Sequence, residues 1–252
     1  MVNLNFINTG LGPSVRAFSS TDSQELFQTN LKIQPADWVY HDCTITYSLN
    51  SYGYRAPEFH LVDWSNSIVI FGCSNVVGIG LPENDTVSSQ LQRLTGRPVI
   101  NMGASSSSME FSVYNSGILR ANYPPPYAVV HIWTVYDRCT EFIKNGQVKH
   151  HGANFSTVAD GNYFTVINQT ETNQSTRAQY LKTMAEGMWK NTGTQYFDCS
   201  FFWATADLLK CPSIEQIDHA RDLRLVSGQV RGHPGKETAG RASEIIAQAL
   251  RN

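Results

Sequence analysis

Ile68-Val69-Ile70-Phe71-Gly72-Cys73-Ser74 is the stretch on which the fold turns. A short continuous apolar run ended by glycine is the pattern of a strand buried on both faces, because a strand with one wet face would alternate apolar and polar residues. A helix pattern follows it. From Asp85 the apolar residues Val87, Leu91 and Leu94 fall at i, i+4 and i+7, with Asp85 placed to cap the start and Gly96 to end it. Val99-Ile100 then reads as a second strand, Ser107 to about Arg120 as a helix carrying Phe111, Tyr114 and Ile118, and Ala128 to Trp133 as a third strand beyond Pro124-Pro125-Pro126. This β-α-β-α-β alternation implies parallel pairing, since a chain leaving the carboxyl end of a strand must travel back before it can pair in the same direction. The expected architecture is a three-layer α/β/α sandwich around a mainly parallel, doubly wound sheet of the flavodoxin-like kind.

Farther out, Ala178, Leu181, Met184, Ala185 and Met188 mark another helix, and Tyr196 to Trp203 a further strand. The last helix has Pro234 suited to its first position and Ala239, Ala242, Ile246 and Ala249 as one apolar stripe. Residues 1–60 are rich in Ser, Asn, Thr and Gly and read as an irregular extension with one short strand around Thr44 to Tyr47 and a turn at Asn50 to Arg55. Residues 139–170 read as an insertion with a hairpin turn at Asn145-Gly146. No composition shift or low-complexity linker divides the 252 residues, so a single domain over 1–252 is expected.

Hydrophobic residues make up 41% and charged ones 16%, ordinary for a globular chain. A formal net charge of -2 with no Lys/Arg run argues against nucleic acid or an anionic membrane as partner. Five cysteines without a C-x-x-C pair suggest free thiols in a reducing compartment. The start shows no basic leader followed by an apolar run, and no segment approaches the roughly 20 apolar residues of a membrane span, so a soluble cytoplasmic or virion-associated protein is expected. Neither a cofactor nor a metal is implied: His150-His151 lacks zinc spacing, Gly78-Ile79-Gly80-Leu81-Pro82 is no phosphate-cradling Gly-Lys-Ser/Thr loop, and no Gly-x-Gly-x-x-Gly opens a helix.

In open α/β sheets the site lies outside the carboxyl ends of the strands. Three segments fall there: Gly72-Cys73-Ser74-Asn75, Asn101-Met102-Gly103-Ala104-Ser105 and Thr134-Val135-Tyr136-Asp137-Arg138. The one His-Pro-Gly, at His233, precedes the last helix, from where its imidazole can reach the same rim. A serine hydroxyl needs a base within hydrogen-bond reach and donors aimed at the developing oxyanion. Ser74 and His233 meet the first need, and the backbone N-H groups of Ser74 and Gly103 suit the second. The bland alternatives are a polar turn residue at Ser74, a helix-terminal His233, a glycine that serves only the turn at 103, and a turn and helix cap in Ser105 to Ser108. Cys73 is a rival nucleophile, as thiolates are intrinsically better attackers.

Together these residues carry a family resemblance. Phe71-Gly72-Cys73-Ser74 resembles the Gly-Asp-Ser block that opens SGNH (GDSL-type) hydrolases, and Asn101-Met102-Gly103 resembles their second block with its oxyanion glycine. Ala220-Arg221-Asp222 with His233-Pro234-Gly235 is similar to their closing block, and Gly53-Tyr54-Arg55 to a stretch that often precedes the first. The resemblance spans roughly 67–251 and implies a metal-free serine esterase acting on a small-molecule ester such as an acetylated carbohydrate. It implies Ser74 as nucleophile, His233 as base, Asp222 as the acid that orients it, and a Cys73 side chain turned toward the scaffold. Three departures accompany it: Cys73 stands where the family has aspartate, Thr134 to Asp137 lacks the Asn donor of Gly-x-Asn-Asp, and Asp222 lies eleven residues before His233 rather than three. Either residues 223–232 loop out and Asp222, or its rival Asp218, still orients His233, or the site is a dyad. A scaffold that has lost its chemistry, as a carbohydrate-binding or virion component, is the alternative to an enzyme. The segment Gly72 to Val76 lacks the second glycine of a Gly-x-Ser-x-Gly elbow, which argues against an α/β-hydrolase.

Overall fold

The computed structural model describes residues 5–142, 148–151, 171–226 and 228–251. In chain order it contains β1 (Ser14–Arg16), α1 (Gln24–Ile33), β2 (Tyr47–Leu49), β3 (Ile68–Gly72), α2 (Ser74–Val77), α3 (Val87–Thr95), β4 (Val99–Gly103), α4 (Met109–Asn122) and β5 (Ala128–Trp133). There follow β6 (Cys139–Phe142), β7 (Val148–His151), α5 (Glu171–Trp189), β8 (Gln195–Ser200), α6 (Trp203–Leu209), β9 (Arg224–Val226), β10 (Gln229–Arg231) and α7 (Lys236–Ala249).

The four central strands run parallel in the order β4-β3-β5-β8. Every residue of β3, β4 and β5 is buried, which is why their sequences are apolar throughout rather than alternating. Alternation reappears in the faces. Ile68, Ile70, Val130 and Ile132 pack with Val87 and Leu91 of α3 and with Ala239, Ala242 and Ile246 of α7. Val69, Phe71, Ile100 and Val129 pack on the other side with Phe111 and Ile118 of α4 and Trp189 of α5. The α/β/α sandwich follows from those two faces, each large buried aliphatic contributing about 1.5–3 kcal/mol.

Several boundaries differ from the sequence expectation. Thr86, not Asp85, caps α3: its Oγ1 accepts from the Ser89 N-H at 3.2 Å, while Asp85 ends a 3-10 turn. The strand expected over 196–203 stops at Ser200, and Trp203 starts α6. Pro234 precedes the Gly235 cap of α7 and so lies outside the helix. The expected strand at 44–47 is shifted to β2, which pairs antiparallel with β1. The hairpin expected in the 139–170 segment takes the form of β6 and β7, in register Cys139 with His151, but Asn145-Gly146 lies outside the described residues. Among the described residues no helix is long and apolar enough to cross a membrane.

The extension is more ordered than its composition suggests. Ser23 caps α1, and the buried residue of that helix is Asn30, whose Nδ2 donates to the carbonyls of Arg221 and Leu223 at 3.0 and 2.8 Å. Asp22 and Arg221 form a bidentate ion pair at 2.9 and 2.7 Å, with both side chains nearly inaccessible. Tyr47 Oη donates to Asp22 at 2.6 Å and accepts the Gly80 N-H at 2.7 Å. Gly80 has φ +76, and a Cβ there would lie 2.8 Å from Ala220 Cβ and 2.9 Å from Arg221 N. The position therefore combines a left-handed backbone with a close approach of two segments. Gly80→Ala should lower stability by about 1–3 kcal/mol, read as a lower urea midpoint at unchanged m-value.

Candidate active site

Ser74 is the first residue of α2, immediately beyond β3. The chain leaves β3 to form β4 on one side and returns to form β5 on the other, so Ser74 occupies the reversal of strand order where open sheets leave a crevice. The one-turn helix that carries it is fastened from two directions. Asn101 Nδ2 donates to the Val76 carbonyl at 2.7 Å, and the buried Arg55 guanidinium donates to the carbonyls of Gly78 and Leu81 at 3.0 and 3.1 Å. The Asn101 and Arg55 of the recognised motifs thus act on the loop that presents the serine.

His233 reaches Ser74 from the far end of the chain. Its Nε2 lies 2.8 Å from Ser74 Oγ, its Nδ1 lies 2.7 Å from Asp222 Oδ2, and its own backbone N-H donates to Asp222 Oδ1 at 3.0 Å. A carboxylate opposite Nδ1 fixes the proton there and leaves the Nε2 lone pair facing the hydroxyl. Asp222 is fully buried at its side chain. Burial by itself raises its carboxyl, but the hydrogen bond and charge of His233, then the hydrogen bond from Thr21, outweigh it and hold the group below the ordinary carboxylate range.

The eleven-residue spacing between acid and base has a simple geometric cause. Residues between them form the antiparallel ribbon β9–β10, whose base is closed by the Ala220 N-H to His233 carbonyl bond at 2.9 Å and by the bridge of His219 with Pro234. The ribbon projects outward, with Leu225 and Val230 exposed, and Asp222 and His233 meet beneath it. Asp218 is otherwise engaged: its carboxylate accepts the N-H groups of Glu237 and Thr238 and the Thr238 hydroxyl, at the start of α7.

Gly103 departs from the donor role expected of it. Its N-H is engaged by Asn101 Oδ1 at 3.0 Å, and a Cβ there would lie 2.6 Å from Val77 N, so the glycine permits α2 to sit against β4. Among the described residues the N-H groups of Ser74, Ser105 and Ser106 have no acceptor, and Ser106 takes a left-handed φ of 61 in the loop after β4. In Ser105 to Ser108, Ser107 Oγ donates to the Gly72 carbonyl and Ser108 pairs with Thr140 instead of capping α4. Cys73 is buried, and Arg138 donates to Thr134 Oγ1 at 3.0 Å in the third segment. Two residues beside Asp222 escaped the sequence reading: Thr21, whose hydroxyl donates to Oδ2 at 2.6 Å, and Arg224, whose NH1 lies 3.4 Å from it. Chemically, the arrangement can activate a hydroxyl for attack and return its proton to a leaving group.

No protein-family model and no curated protein matches the chain. Solved structures to which the chain is similar include a carbohydrate esterase family 2 enzyme with a carbohydrate binding domain from Corynascus thermopiles (Myceliophthora fergusii), at TM-score 0.41 and 13% identity over 73% of this chain and 65% of that one. An acetyl xylan esterase (Est2A) from the rumen bacterium Butyrivibrio proteoclasticus is similar at TM-score 0.42 and 10% identity, over 76% and 64%. A member of the lipolytic protein G-D-S-L family from Veillonella parvula DSM 2008 is similar at TM-score 0.40 and 12% identity, over 72% and 96%. This chain therefore spans just under two thirds of the length of the first two.

Because the folded Asp222 carboxyl is lowered, its ionisation favours the fold above the ordinary carboxylate range, and that contribution disappears as the pH falls through the lowered value. Urea unfolding of the protein and of Asp222→Asn, followed from about pH 7 to about pH 3, should show the stability gap between them narrowing below about pH 4. A gap independent of pH contradicts an ionised, hydrogen-bonded Asp222.

Proposed function

We propose that the protein is a serine hydrolase that cleaves a small ester, with Ser74 as nucleophile, His233 as general base and then acid, and Asp222 as the group that orients the imidazole. The single observation that carries the reading is the unbroken line of short contacts from Ser74 Oγ through His233 to the Asp222 carboxylate, 2.8 and 2.7 Å long. Ser74 attacks the ester carbonyl as its proton passes to Nε2, and the ionised Asp222 stabilises the imidazolium. The oxyanion meets the Ser74 N-H, which no acceptor in the described residues occupies. The imidazolium then protonates the departing alcohol, and water, deprotonated by the same ring, releases the acid from the acyl-enzyme.

For the alcohol we propose a carbohydrate hydroxyl. What supports this is a depression of about 440 Å³ walled by Tyr136, Glu171, Ser175, Trp203 and Asp207. Tyr136 follows β5 and Trp203 follows β8, so the depression lies on the same rim as Ser74. Trp203 is 73% exposed there, a flat apolar face beside hydrogen-bonding side chains, as a sugar ring requires.

Hydrolysis of p-nitrophenyl acetate by the protein, by Ser74→Ala and by His233→Ala tests the assignment. Each substitution should lower kcat by about 1000-fold or more with little change in KM, and a fluorophosphonate should label the unsubstituted protein and neither variant. Equal rates from all three would assign the scaffold to binding without cleavage.

A further inference from the structure

Thr21 stands at the tip of a tight turn. Ser19 and Asp22 exchange backbone hydrogen bonds at 3.0 and 3.1 Å, and Ser20 between them has φ 57. The turn meets the closing segment at two successive residues: Thr21 bonds Asp222 while Asp22 bonds Arg221. The Arg221 end is further held by the Ala17 carbonyl at 2.9 Å and by the Phe18 and Phe27 rings, 4.7 and 4.9 Å from the guanidinium. The tip is therefore set by a buried anchor one residue away, although Thr21 itself is exposed.

Asp222 Oδ2 faces three donors: the Thr21 hydroxyl at 2.6 Å, His233 Nδ1 at 2.7 Å and the Arg224 guanidinium at 3.4 Å. Arg224 belongs to the ribbon strand β9, so this third donor comes from a different segment than the other two. Thr21 Oγ1 also lies 3.4 Å from His233 Nδ1, so one hydroxyl touches both members of the pair. We infer that Thr21 is a positioning residue of the active site, a brace that holds the Asp222 carboxylate on His233. The inference rests on the serine hydrolase reading for its kinetic consequence, and on the geometry alone for its effect on the Asp222–His233 bond.

Three proteins test it: the wild type, Thr21→Val, which keeps the shape and removes the hydroxyl, and Thr21→Ser, which restores the donor. On p-nitrophenyl acetate, Thr21→Val should lower kcat on the order of 10-fold with KM within about twofold, and Thr21→Ser should recover most of the loss. The downfield proton resonance of His233 Nδ1 should shift in Thr21→Val and return in Thr21→Ser. A merely structural threonine predicts a lower melting temperature with kcat and the resonance unmoved, and that result overturns the inference. If the wild type cleaves no ester, the hydrolase reading fails, and the resonance still decides: a shift in Val reversed in Ser upholds the brace, and an unmoved resonance overturns it.

Discussion

The pairing of Arg221 with Asp22 is the contact on which the arrangement of the site depends. Two charges taken almost wholly out of water are tolerated only where each finds its partner and further hydrogen bonds, and here each does. Removing either partner would leave a buried charge uncompensated, at a cost of about 3–5 kcal/mol. From this pair a polar line runs through Tyr47 to the Gly80 amide, and so to the loop that follows Ser74. The extension, the loop after Ser74 and the closing segment are joined by one set of directional bonds. An apolar contact of the same size would have left their relative orientation free to slide, since hydrophobic packing is non-directional.

The site divides its tasks between a rigid part and an inserted part. Ser74 is fixed by the parallel sheet and by Asn101 and Arg55 beneath it. His233 and Asp222 belong to a strap between sheet and last helix, interrupted by the β9–β10 ribbon. Closing the base of that ribbon with backbone hydrogen bonds removes the ribbon's length from the distance between Asp222 and His233. Apart from Arg224, which touches Asp222, its described residues can therefore vary without moving the pair, provided residues 219–222 and 233–234 stay in contact.

What the sequence reveals and conceals follows from the same physics. Continuous burial writes itself plainly, which is why Ile68 to Phe71 and Ala128 to Trp133 identify their strands and hence the reversal point at Ser74. Polar anchoring does not. The one fully buried side chain of α1 is the polar Asn30, and nothing near position 21 advertises a partner 201 residues away. Gly103 shows the limit from another side: a glycine at a plausible place serves either its amide or its missing side chain, and only the direction of the Asn101 amide decides. The distance between Asp222 and His233 was open for a comparable reason, as a ribbon and a wandering loop of ten residues look alike until the bonds at their base are known.

A ribosome reading this chain releases Ser74 more than a hundred residues ahead of its imidazole, since the two are separated by 159 positions. The turn at 19–22 emerges earlier still and waits for a carboxylate made 201 residues after Thr21. The growing polypeptide consequently lacks the Ser74–His233 contact until the segment around His233 has left the exit tunnel and docked.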